Sequence, residues 1–583
     1  MKLTGKGASP GSAVGRVFIS NEKFPPPADI KIDPGEEQSN LEKYKSVKEK
    51  AIKEIYKLKT SMEKTDPAKA KIFDAHIEIA DDIIINEEIP SKILKERRSG
   101  DFAIYSVYEN VINILKNAGD SLIAERASDF DDVRTMLLRQ WYENKNDDFS
   151  GMNEPCIIAC DDLKPSDIAA FDKSKVLAIL TQTGGSTSHA AIIAKSYGIP
   201  AVFGIKDLLN SVKQGQNAAV DADKGIVILD PPDNVLTDYK VKSEAFRLKK
   251  ARAEGFKYKE CRALCGERID IGLNIAGVDE KDLEASEYTD SVGVFRTEFI
   301  YMGKNELPSE DEQFNVYRKL LECYNPRPVI LRTLDIGGDK KLTSMPLPAE
   351  DNPFLGNRAL RFCFSNPDIF RTQIRACLRA SVYGNLWIML PMIASLDDIR
   401  EAKDFINKTK VELDNENVSY NEVKIGVMIE IPSIAVIADL AVKEVDFASI
   451  GSNDLCQYLC AADRMNVEVE KYYQSYHPAM FRLIKNVIEV FNTADKPVSF
   501  CGELGSDPAA IPVLIGLGLR KLSMGSSSVA AAKSVIAGIT IEDAKAAAAA
   551  VLKMNTAGEI ENYLVEVLAK AREPYRLQES YRL

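Results

Sequence analysis

Histidine is nearly missing from this chain: there are three in 583 residues. Zinc sites that draw on imidazole are correspondingly hard to build, and the ten cysteines do not make up the shortfall. Three pairs, Cys156/Cys160, Cys261/Cys265 and Cys456/Cys460, share a C-x3-C spacing, wider than the C-x2-C usual in structural zinc sites. Scattered through a long chain, they read as reduced and mostly buried thiols. Long apolar runs are absent as well. None approaches the ~20 residues of a membrane-spanning helix, and the opening MKLTGKGASPGSAVGRV lacks the apolar stretch of a signal peptide. An excess of positive charge is also lacking. The net charge is −12, which argues against nucleic acid or an anionic membrane as the main partner. The expected location is the cytosol. What is present is 45% hydrophobic and 28% charged residues, a globular composition, over a length that suggests roughly two to four domains.

Glycine is scarce in one place. Between Gly35 and Gly119 only Gly100 occurs, and apolar residues there recur at three- and four-residue steps. Tyr44, Val47, Ala51, Ile55, Leu58 and Met62 trace one helical face. Similar stripes run through 72–85, 102–115 and 131–138, so an all-helical block of two helical hairpins is expected. Ahead of it lie Gly-rich turns, the short strand Ala13–Ile19 and the break Pro25-Pro26-Pro27. After Gly151 the pattern changes to short buried-strand runs at 156–159, 176–180, 218–220 and 226–229. An α/β unit is thus interrupted near its start by the helical block. The charged run Val235–Lys259 fits an exposed connecting helix, or equally a solvated surface helix of the next domain. Beyond Cys261, eight strand-like runs lie near 270–276, 292–296, 328–334, 386–392, 424–429, 447–451, 497–501 and 519–523. Helical patterns separate most of them, which predicts a (β/α)8 barrel.

Barrels of this kind place function at the C-terminal ends of their strands. The polar residues ending these runs are Arg296, Arg332, Glu430, Asn453 with Asp454, and Cys501, with Arg464 a little later. Singly, each is compatible with a buried ion pair. Together the arginines offer permanently charged forks for a phosphate and a carboxylate, while Glu430 and Asp454 offer hard oxygen ligands for Mg²⁺. A three-carbon substrate bearing both anionic groups fits the set.

His189 sits in Gly184-Gly185-Ser186-Thr187-Ser188-His189, just ahead of the helix-forming run Ala190–Lys195. Thr187 and Ser188 are good capping residues, which would place the imidazole in a helix's first turn, where backbone N–H groups and the dipole attract an anion. There it can act as a phosphoryl acceptor. On spacing alone, a histidine that makes only a local hydrogen bond stays open.

The stretch GGSTSHAAIIAKSYGIPAVFG from Gly184 to Gly204 resembles the phosphohistidine motif of the phosphoenolpyruvate-using swivelling-domain enzymes. ERASDFDDVR in the helical block and RTEF, RTLDIGGDK, NPFLGNRALR, GSNDL and CGEL farther on resemble, in the same order, the signatures of enzyme I of the bacterial sugar phosphotransferase system. The resemblance implies a multidomain α/β protein. A swivelling phosphohistidine domain (1–22 and 146–232) would carry an inserted all-α carrier-binding domain (23–145). A linker helix (233–260) would lead to a phosphoenolpyruvate-binding TIM barrel (261–583). It further implies that His189 takes phosphate from phosphoenolpyruvate and passes it to the carrier protein HPr. Arg296, Arg332, Arg358, Asn453, Asp454 and Arg464 would bind substrate, Glu430 and Asp454 would hold Mg²⁺, and Cys501 would protonate the enolate carbon. A homodimer through the barrel is implied too. Two positions depart from the pattern: Ser186 stands where the family carries arginine, and Ile168 where it carries threonine. A regulatory phosphoacceptor with weak turnover is a second reading. An ATP-linked pyruvate dikinase is a third, disfavoured because the helical residues ahead of the phosphohistidine unit are too few for an ATP-binding domain.

Overall fold

Sixteen strands form two sheets of different character among the described residues. The computed structural model describes residues 1–570, apart from 21–24, 64–69, 71, 117–120, 144–151, 153, 165, 168–171, 184–193, 195–197, 303, 305, 339, 341, 343, 346 and 349. The chain divides into two compact units, Met1–Lys249 and Lys250–Leu583.

The first unit holds an eight-stranded mixed sheet in the order β1-β8-β7-β3-β4-β5-β6-β2. Its members are β1 (Lys2–Thr4), β2 (Lys6–Ser9), β3 (Ser12–Ser20), β4 (Cys156–Cys160), β5 (Val176–Thr181), β6 (Ala201–Phe203), β7 (Asn217–Asp221) and β8 (Ile226–Leu229). All five residues of β4 are buried, because it lies between β3 and β5 with both faces covered. β1 and β2 replace the turns expected near the start. Their sequences, KLT and KGAS, carry too few apolar residues to show a strand period. Gly7 is needed there, since a Cβ would lie 2.0 Å from the Ala222 carbonyl oxygen.

Between β3 and β4 the chain forms α1 (Glu37–Glu63), α2 (Ile72–Ala80), α3 (Ile83–Leu94), α4 (Gly100–Lys116) and α5 (Ser121–Tyr142). The expected stripe is the buried face of α1, with Tyr44, Val47, Ala51 and Ile55 all nearly inaccessible. The stripe through 72–85, however, is broken into two helices. The Asp82 carboxylate accepts from the Ile85 backbone N–H at 3.0 Å and starts α3 afresh, a cap worth about 1 kcal/mol. The block therefore shows five helices among the described residues rather than two hairpins. The charged run is helical, α6 (Asp233–Glu254), and spans the boundary between the units.

The second unit is a closed barrel of eight parallel strands: β9 (Asp270–Ile275), β10 (Ser291–Arg296), β11 (Pro328–Arg332), β12 (Asn385–Leu390), β13 (Lys424–Ile429), β14 (Phe447–Ile450), β15 (Val498–Phe500) and β16 (Lys521–Met524). Val294, Ile330, Trp387, Met389, Met428, Phe447 and Cys501 fill its interior. Gly426 makes room for Phe447, whose ring would stand 2.5 Å from a Cβ at that position. No helix among the described residues is long and apolar enough to cross a membrane.

All ten cysteines are unpaired, and only Cys265 is exposed. Backbone N–H groups of Glu267 and Ile541 lower its pKa, whereas burial pushes Cys501 up to about 11. Since the thiolate is the reactive form, iodoacetamide at pH 8 should label Cys265 at least about tenfold faster than Cys501. Peptide mass spectrometry over time checks this, and equal rates would contradict the burial of Cys501.

Candidate active site

The C-terminal ends of the barrel strands gather a buried set of charges. Arg332 closes β11, and its Nη2 lies 2.5 Å from Glu298 and 3.0 Å from Asp335. Lys340 approaches the same two carboxylates at 2.8 and 2.6 Å. Arg358, held in the loop ahead of the helix Leu360–Ser365, is 1% exposed. It donates Nε to Asp335 at 3.0 Å, and Nη1 and Nη2 to the two Asp454 oxygens at 3.1 and 3.4 Å. Tyr458 steadies that guanidinium at 3.3 Å while donating its own hydroxyl to the Phe354 carbonyl. Arg464 reaches Asp454 at 3.6 Å from a less buried position. The loop that turns Asp335 inward is tight. Gly337 and Gly338 both adopt positive φ, and a Cβ on Gly337 would stand 2.9 Å from the Arg358 Cα.

Burial alone would neutralise such carboxylates. It pushes Glu298 and Asp335 up, but Arg332 and Lys340 outweigh it, with Arg358 adding to the effect on Asp335, so both stay ionised. Burial likewise works against the charge on Arg332 and Arg358, and their carboxylate neighbours raise both above the usual arginine range. Pairs this buried are not a source of net stability, but removing one partner is costly. Two polar atoms are left over: Arg332 Nε and Glu298 Oε2 have no hydrogen-bond partner among the described residues. Arg296 ends β10 exposed. An anionic ligand would find free donors here.

Glu430 follows β13 and is 1% exposed. Its Oε1 accepts from the Met392 backbone N–H at 2.7 Å. Burial, then Asp454 and Asp335, push its pKa up to about 8. Asn453 and Asp454 do not end β14 as expected. β14 stops at Ile450, and both residues lie in the first turn of the following helix Ser452–Cys460. The Asn453 side chain accepts from the Glu503 backbone N–H at 3.1 Å. Cys501 follows β15, and its thiol points toward the Ile450 carbonyl at 3.5 Å. The donor set available to a cation is Glu430 and Asp454, oxygen only and without histidine or thiolate. No cluster of three or more metal-type side chains occurs among the described residues. Two carboxylates suit a hard divalent ion that keeps water and substrate oxygens as its remaining ligands.

His189 and Ser186, and likewise Ile168, lie outside the described residues. The ERASDFDDVR segment is described. It lies in α5 and ties the helical block to the segment that follows β4. Asp132 accepts from the Ser166 hydroxyl and backbone N–H at 2.5 and 3.2 Å. Lys164 binds Asp131 and Thr135, each at 2.7 Å, and Arg134 pairs with Glu109 and Asp131. His76 is fully buried beside Asp129 and Asp132.

Three family models match in sequence. They are the PEP-utilising enzyme N-terminal domain over residues 4–126, the mobile domain over 152–225 and the PEP-binding domain over 250–541. A phosphoenolpyruvate-protein phosphotransferase from Bacillus sp. (strain S) is 38% identical over 98% of both chains. That of Mycoplasma capricolum is 39% identical over 97% of this chain and 98% of its own. The Staphylococcus carnosus protein of the same name is 36% identical over 98% of this chain and its own full length. The chain belongs to this family of phosphotransferases.

Within the family's barrel signatures, the strand-end reading does not reach Glu298 and Asp335, which compensate Arg332 and Arg358, or Lys340, which adds positive charge on the same two carboxylates. Their signal was present: Glu298 lies two residues after Arg296 in RTEF, and Asp335 and Lys340 lie in RTLDIGGDK. They were missed because they sit beyond strand ends rather than on them. Arg332, Arg358, Asp454 and Arg464 form one connected charge cluster.

Proposed function

We propose that the chain transfers the phosphoryl group of phosphoenolpyruvate to His189, releases pyruvate, and passes the phosphoryl group to an HPr-type carrier protein. The observation that carries this reading is the barrel-mouth charge cluster, with spare donors on Arg332 and Arg296 close to a buried thiol. Arg296, Arg332, Asn453 and Arg464 bind the phosphate and carboxylate. Arg358 holds Asp335 and Asp454 in place and lends positive charge to the phosphate. Glu430 and Asp454 would hold Mg²⁺, which offsets charge on the transferring phosphoryl group when bound. Neutral His189 accepts that group in line, and the enolate that leaves takes its proton at carbon from Cys501.

The proposed domains are the phosphohistidine domain 1–22 with 146–232, the carrier-binding insertion 23–145, the linker 233–260 and the barrel 261–583. A cytoplasmic homodimer joined through the barrel completes the reading. Incubation with phosphoenolpyruvate, Mg²⁺ and a molar excess of carrier, without ATP, should form many pyruvates per chain, up to one for each carrier molecule, and phosphorylate the carrier. Formation that stops at one pyruvate per chain would favour the regulatory phosphoacceptor, and an absolute need for ATP would favour the dikinase.

A further inference from the structure

The thiol that serves as carbon acid is left as thiolate after each turnover and must be reloaded with a proton. Its surroundings offer a route away from the barrel mouth. Ser499 and Cys501 are two residues apart at the end of β15, so both face the barrel interior. Ser449 of β14 pairs directly with Ser499. The Ser499 hydroxyl donates to Ser449 Oγ at 3.0 Å. Cys501 is anchored one step farther along the same strand pair, its backbone N–H on the Ile450 carbonyl at 3.0 Å and its thiol toward that carbonyl at 3.5 Å. This sets the sulfur beside Ser449, whose hydroxyl acts to lower the thiol's pKa. Both serines are buried, Ser449 completely. Hydroxyls in an interior otherwise filled by Met389, Met428, Phe447 and Trp387 are costly unless bonded.

Ser499 also lines a cavity at the opposite, N-terminal end of the barrel, together with Asp270, Ser291, Pro328, Trp387 and Lys521. Its volume is about 20 Å³, room for one water. Lys521 and Asp270 at its rim are partly solvent-exposed and lie 3.6 Å apart.

We propose that Ser449 and Ser499 form a hydroxyl relay that returns a proton to Cys501 from the N-terminal end of the barrel. The inference rests on the reading of Cys501 as the carbon acid. The S–H bond of Cys501 breaks as a C–H bond forms on the enolate, giving pyruvate and a thiolate. Ser449 then gives its O–H proton to sulfur and takes one from Ser499. Ser499 takes one from water in the cavity, so one solvent proton is consumed per pyruvate. The substrate end can stay closed while the acid is reloaded. The serines act through Cys501 and do not touch substrate.

The test is hydrogen exchange in the reverse direction. Full-length protein with Mg²⁺, phosphoenolpyruvate and [3-³H]pyruvate is followed for two rates: label transfer into phosphoenolpyruvate and label release to water. With the relay intact, tritium picked up by sulfur escapes to solvent. Ser449→Ala and Ser499→Ala should lower the ratio of release to transfer by at least about tenfold, because trapped tritium returns to carbon. Ser499→Thr keeps the hydroxyl and should restore the ratio, and it also decides the matter if an alanine variant fails to fold. Alanine variants with the parent's ratio would overturn the relay, as would a threonine variant that behaves like alanine. Cys501→Ala that still exchanges methyl hydrogen at the parent's rate would instead remove Cys501 from the chemistry and the parent reading with it.

Discussion

Arg358→Met should destabilise the protein by about 3–5 kcal/mol and abolish pyruvate formation. The guanidinium is 1% exposed and holds two carboxylates at once, Asp335 through Nε and Asp454 through both terminal nitrogens. Methionine fills much of the same volume, so the loss is of charge rather than of packing. Asp335 would keep Lys340 and Arg332 as partners, but Asp454 would keep only the longer contact to Arg464. An under-compensated Asp454 beside Glu430 raises the cost of holding both ionised. Urea titration of the full chain followed by far-UV circular dichroism measures the stability loss. Arg358→Lys should recover only part of it, because one ammonium cannot span both carboxylates. A variant as stable and active as the parent would show that the cluster is dispensable.

Cys501→Ser should slow pyruvate formation by roughly 10²–10⁴-fold, with much smaller changes in the binding of phosphoenolpyruvate and Mg²⁺. Serine preserves size and hydrogen bonding, but its hydroxyl is a far weaker acid. The parent's pH dependence carries a matching signature. Burial pushes the thiol up to about 11, so the protonated form, the one that donates, persists from neutral pH through pH 9 and is lost only as pH approaches that value. Rapid-quench measurement of the first turnover should therefore show no alkaline decline between pH 7 and 9. A decline centred near 8.5, the ordinary thiol value, would mean that the acid is exposed or is another group.

The barrel was legible because parallel strands covered on both faces become continuous apolar runs. β10, β12 and β13 lie almost where such runs predict them. The residues at the ends of β10 and β11, Arg296 and Arg332, were legible for the same reason. Legibility stopped where position depends on loops. Asp335 and Lys340 enter the cluster through the turn at Gly337 and Gly338, and Arg358 arrives from a loop after another twenty residues or so. Asn453 and Asp454 looked like strand-end residues because an apolar run precedes them, but the helix starts at Ser452. In the first unit, the break at Asp82 was hidden because α2 and α3 both bury apolar faces, which let one stripe run across two helices. β1 and β2 have no period to read, and only their sheet partners make them strands.

The central claim is that phosphate moves from phosphoenolpyruvate to His189. The direct measurement is a single turnover of full-length protein with [³²P]phosphoenolpyruvate and Mg²⁺, without carrier or ATP, followed by mapping of the labelled peptide under alkaline conditions that preserve phosphohistidine. The account predicts one acid-labile phosphoryl group per chain, on the peptide containing His189, and none in His189→Ala. Equal labelling of the His189→Ala protein, or label on any other residue of the parent, would contradict it.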